Sequence, residues 1–141
     1  MQTSLFFNDP LIKYLGTWAA EFNFYSVIFR ISLVVLLASV IGCERSSKRH
    51  SAGLRTFIIV SLASAVSAMI DLRIMAKIQG GFPVISAASV VSIAMISGNS
   101  ILFSSKSQIK GLTTSAGLWA CGVIGLSAGA GLYTITLISF I

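Results

Sequence analysis

Apolar residues in this chain come in long blocks separated by short polar connectors, with no sustained alternation of apolar and polar positions. An apolar block of about 20 residues is what a helix needs to cross the hydrocarbon of a bilayer at ~1.5 Å per residue. The blocks predict spans over residues 25–43, 56–70 and 82–103, followed by an apolar stretch that runs to Ile141. That last stretch is too long for one comfortable span. Gly129-Ala130-Gly131 inside it predicts a tight turn between two helices, the second and shorter one over about 132–141. The predicted fold class is an all-α membrane protein, a bundle of about five short transmembrane helices joined through small-residue packing faces. Residues 1–24, with Asp9-Pro10 marking a turn, form an aromatic N-terminal interfacial segment, and residues 25–141 form the transmembrane domain.

Composition supports the same class. Of 141 residues 55% are hydrophobic and 10% charged, whereas an ordinary soluble domain carries roughly 25% charged residues. The net charge of +6 would suit nucleic acid, but the cations sit in connectors, so the lipid bilayer is the expected partner and nucleic acid is not. The connector from Gly42 to Thr56 holds Arg45, Lys48, Arg49 and Arg55, and the third connector holds Lys106 and Lys110. Arg73 and Lys77 lie in the second, beside Asp71. A preference for cations on the cytoplasmic side places the first and third connectors inside, the N-terminus outside and the C-terminus in the cytoplasm.

Polar residues at membrane depth are the candidates for intramembrane function. Arg30 lies near the start of the first span, where the plainer expectation is snorkelling to the near interface. The alternative is a cation facing the interior, with Asp71 as partner. Gly98-Asn99 would kink or interrupt the third span, and Asn99 either bonds a neighbouring helix or lines a path. Gly117, Cys121, Gly125 and Gly129 recur every four residues, as do Ser61/Ala65 and Ser64/Ala68, which invites close helix contact. Cys43 and Cys121 lack metal-ligand spacing and are expected to be free thiols used in packing. No catalytic set, metal cluster or phosphate loop is evident, and no cofactor is expected.

Two motifs rise above this background. One is Gly42-x-Glu44-Arg45 followed by Ala52-Gly53-Leu54-Arg55-Thr56. The other is Lys110-Gly111-Leu112-Thr113-Thr114-Ser115-Ala116-Gly117-Leu118-Trp119, followed by Gly125, Gly129 and Gly131. Their order and spacing resemble the MgtC/SapB family of bacterial inner-membrane proteins over roughly residues 30–135. The family's glycine-rich third-span signature is replaced here by small residues around Ser92–Asn99, and the resemblance leads us to expect a minimal member lacking the soluble C-terminal domain of some members. The resemblance implies a non-enzymatic modulator linked to magnesium homeostasis, stress adaptation and virulence, acting on other membrane proteins such as the ATP synthase. A homo-oligomer acting as a small ion transporter or channel is the alternative.

Together the motifs predict a cytoplasmic rim. Glu44 would pair with Arg55 or Arg45, Gly53 would permit a turn into Arg55-Thr56, and Thr113 or Thr114 would cap the fourth span. Such a rim either fastens the helices together or offers a docking or gating surface.

Overall fold

A computed structural model describes residues 9–20, 22–47, 52–78, 81–99, 101–103 and 109–141. Lys48, Arg49 and Lys106 of the predicted connectors lie outside the described residues, as do Glu21 and the side chains of Lys13 and Lys110.

Short helices α1 (Pro10–Leu15) and α2 (Thr17–Ala20) precede the long helix α3 (Phe24–Ser47). Then come α4 (Leu54–Lys77) and α5 (Val84–Asn99), a two-residue antiparallel ladder of β1 (Leu102–Phe103) with β2 (Ile109–Lys110), α6 (Leu112–Gly129) and α7 (Tyr133–Phe140). Among the described residues α3, α4 and α6 are long and apolar enough to cross a membrane, and α5 is a shorter apolar helix of 16 residues. Helix α7 has eight residues and reaches about 12 Å.

Three boundaries differ from the sequence expectation, the first being the end of α3, which runs on to Ser47 rather than stopping at 43. Asp71-Leu72-Arg73 and Lys77, read above as a connector, belong to α4. No Gly or Pro occurs between Leu54 and Lys77, and charged residues mark the membrane surface without breaking a helix. The third span stops at Asn99 rather than at 103, because Gly98-Asn99 ends the run. Leu102 and Phe103 instead pair with Lys110 and Ile109. The expected turn inside the last block is present: Gly131 has φ 83°, a left-handed conformation that suits glycine. Its neighbours satisfy the end of α6 through bonds from Ala130 to Leu126 and from Leu132 to Ser127.

Helix α6 sits at the centre, packed against α3, α4, α5 and α7. Along its contact with α4, Gly117 faces Phe57, Gly125 faces Ser61 and Gly129 faces Ala65. Both series rise together, so α4 and α6 are parallel. A Cβ at Gly125 or Gly129 would collide with the main-chain oxygen of Ser61 or Ala65. The backbones therefore touch, which is how small-residue faces hold helices through dispersion in lipid. Cys121 continues the stripe, its Sγ 3.7 Å from the Phe57 carbonyl. Helix α3 runs antiparallel to both, burying Val34 with Ala65 and Ala128.

Candidate functional site

The bundle carries polar groups at both ends, and the two ends differ in kind. At the end where α3 begins, Arg30 is 3% exposed. It does not snorkel, and its partners do not include Asp71. Arg30 Nη1 donates to the Gly129 carbonyl at 2.9 Å, Nη2 to the Ala19 carbonyl at 3.2 Å and Nε to the Tyr133 hydroxyl at 3.3 Å. Gly129 ends α6 and Ala19 lies in the last turn of α2. Terminal carbonyls of a helix lack intrahelical donors and carry the negative end of its dipole. The guanidinium thus closes two helix C-termini at once. Tyr133 donates in turn to the Ala19 carbonyl at 3.1 Å, and Ser26 Oγ donates to it at 3.2 Å. The Phe22 ring lies 5.2 Å from the Arg30 guanidinium and 4.3 Å from that of Arg73.

Asp71 is also 3% exposed and has the complementary role. Its carboxylate accepts the amides of Ile85 at 3.1 Å and Ser86 at 2.5 Å, the first turn of α5, where unpaired N–H groups and the positive dipole end favour an anion. Asp9 caps α1 through the Leu11 amide at 3.4 Å and accepts the Thr134 amide at 3.1 Å and the Thr134 hydroxyl, tying α1 to the start of α7. Arg30, Asp71 and Asp9 therefore all stand at helix ends of the matching sign. Sequence inspection had marked Arg30 and Asp71 but missed Asp9, Tyr133, Thr134 and the Ala19 carbonyl. Asp9-Pro10 was the available signal, since an N-cap acid followed by Pro at the first helical position is a helix start.

The opposite end brings the two sequence motifs together. Gly42 packs on Leu54, where a Cβ would fall 2.8 Å from the Leu54 Cα. A Cβ on Gly117 would meet the Phe57 ring at 3.5 Å and Arg45 Nε at 3.8 Å, so α3, α4 and α6 converge there. Gly53 has φ −106°, extended backbone that any residue adopts, so its glycine is not required by the turn. Gly111 has φ 91° and is the N-cap of α6, with no side-chain cap from Thr113 or Thr114. The left-handed residue places the chain in the helix directly, leaving Thr113 exposed and Thr114 buried. Glu44, Arg55 and Trp119 are exposed, while Arg45 and Thr56 are half-buried. Gly98 and Asn99 lie exposed at the end of α5, away from the stripe that Gly117 and Gly125 form. Cys43 and Cys121 are free thiols.

Among the described residues no cluster of three His, Cys, Asp or Glu stands at metal-holding distance. The arrangement binds helices to one another, with an outward-facing polar fringe at the motif end.

A family model described as the MgtC family matches residues 31–141. Protein SapB of Bacillus subtilis is 29% identical over 113 residues, covering 76% of this chain and 49% of the relative. "Putative magnesium transporter YhiD" of Escherichia coli K12 is 32% identical over 114 residues, covering 77% and 53%. Protein MgtC of Brucella abortus is 33% identical over 97 residues, covering 69% and 40%. The chain spans about half the length of these curated relatives. No solved structure matches.

Proposed function

This chain belongs to the MgtC family, and from that membership we propose a multi-pass protein of a bacterial inner membrane that modulates other membrane proteins without catalysing a reaction. The magnesium link is supported by the name of the Escherichia coli relative. Stress adaptation and virulence are the settings proposed for it. The observation that carries the modulator reading is the use of the buried charges. Arg30 and Asp71 are committed to helix termini, whereas a cation route would call for a carboxylate facing an aqueous path. The exposed polar residues Glu44, Arg55 and Thr113 then form the surface that meets a partner. The ATP synthase is the proposed partner, and the rim carrying the first and third connectors faces the cytoplasm.

Deleting the gene is expected to impair growth at limiting magnesium and to alter cellular ATP. Complementation with Glu44→Ala/Arg55→Ala should restore the protein level but not the phenotype. Unchanged growth and ATP in the deletion strain would sink the reading. A second reading, a small oligomeric transporter, is favoured by the name of the Escherichia coli relative. Specific ion flux in proteoliposomes, abolished when the purified chain is omitted, would select it.

A further inference from the structure

A groove of about 410 Å³ runs between α3 and α4 on the outside of the bundle, at the end where Arg30 and Asp71 lie. Val27 and Ile31 form one wall and Val66, Ile70 and Ile74 the other, with Phe22, Arg73 and Lys77 at the mouth. Its volume falls within the ~300–1,000 Å³ of ligand-binding clefts. Its polarity is graded along its length: the two cations occupy one end, and the far end at Val66 is wholly apolar. From Lys77 to Val66 the α4 axis covers about 16 Å, close to the ~15 Å depth of one hydrocarbon leaflet.

From this grading we propose that the groove holds one anionic phospholipid. An acyl chain lies along Val27, Ile31, Val66 and Ile70, and the phosphate is held between Arg73 and Lys77. Arg73 is preset for this role. One of its N–H groups donates to the Phe22 carbonyl at 3.1 Å, and its guanidinium lies over the Phe22 ring. The head is thereby fixed at the mouth with further donors available to phosphate oxygens. Lys77, one turn further on the same helix face, adds a second cation. Asp71, the acid closest to them along α4, binds the Ile85 and Ser86 amides with its carboxylate. The depth of one leaflet and the single charged end fit a lipid better than a transmembrane partner helix, which would contact α4 along its whole length.

The test offers the delipidated full chain equal amounts of phosphatidylglycerol and phosphatidylethanolamine with matched acyl chains, and counts retained lipids by native mass spectrometry. Wild type is expected to favour phosphatidylglycerol roughly tenfold, the size of effect two interfacial cations support. Arg73→Gln/Lys77→Gln should bring the two lipids to near equality, and Lys77→Gln alone, at an exposed position that leaves the fold intact, should fall between. Ile70→Trp, which fills the groove while keeping both cations, should also lose the preference. Arg55→Gln at the other end should keep it. Glu21 precedes Phe22 in the sequence and lies outside the described residues, so Glu21→Gln is included and is expected to match or exceed wild type.

The proposal is overturned by equal retention of both lipids in wild type, or by a preference that survives Ile70→Trp. It is also overturned by an Ile70→Cys disulfide between two copies in lipid-replete membranes, which would make a second copy the occupant.

Discussion

Arg30 on α3 donates to the main-chain oxygen of Gly129 at the end of α6, 2.9 Å away. One contact joins the first long helix to the last, and a buried charge becomes a helix cap. Replacing Arg30 by Met keeps much of the volume but removes the donor to the Gly129 carbonyl, while the Ala19 carbonyl keeps the Tyr133 and Ser26 hydroxyls. The expected loss is about 2–4 kcal/mol, read as a lower midpoint in thermal unfolding in detergent. Tyr133→Phe, which removes one hydroxyl, should lose about 1 kcal/mol.

Glycines on α6 and α5 should respond oppositely to the same change. Gly125→Ala meets the Ser61 main chain, which cannot swing aside, while a Cβ on Gly98 meets nothing within 4 Å. Overpacking of this kind costs about 1–3 kcal/mol, so Gly125→Ala is expected to unfold at lower temperature. Gly98→Ala should stay within about 0.5 kcal/mol of wild type or gain slightly. Equal stability of the two variants would contradict the backbone contact between α4 and α6.

Asp71→Ala removes the acceptor for the first amides of α5. The effect should be local, about 1–2 kcal/mol as for other lost N-caps. Hydrogen exchange at Ile85 and Ser86 is expected to quicken while amides in the middle of α6 keep their protection.

Asp9 holds α1 against α7 through Thr134. Asp9→Ala should loosen the N-terminal helices without unfolding the bundle, seen as faster proteolysis ahead of α3 with an almost unchanged main transition. Collapse of the whole bundle would show that the N-terminal segment belongs to the core.

The proposed orientation is open to a direct check. In a Cys43→Ser background, Ser47→Cys at the end of α3 should be labelled by a membrane-impermeant thiol reagent only after the cytoplasmic face is opened. Labelling from outside intact cells would reverse the topology.

Much of the fold is local and was legible in the chain. Long apolar blocks dictate membrane helices because an unpaired peptide group in hydrocarbon is too costly for any irregular segment. Gly129-Ala130-Gly131 announced the turn into α7, and the four-residue stripe from Gly117 to Gly129 announced a contact face. The two flanking motifs do meet, through Gly42 on Leu54 and Gly117 beside Phe57 and Arg45.

The fate of the charges was not legible. Asp71 and Arg30 are opposite in sign and suggest a pair, yet each is neutralised by a helix end that exists only once the bundle is assembled. Helix dipoles and orphan carbonyls have no sequence signature, because any residue supplies them when it stands at a terminus. The sequence by itself determined that the chain folds as membrane helices, where they bend back and which faces are small enough to touch. Only the tertiary structure decided that α4 and α6 run parallel in backbone contact, and that Arg30 and Asp71 hold helix ends rather than each other.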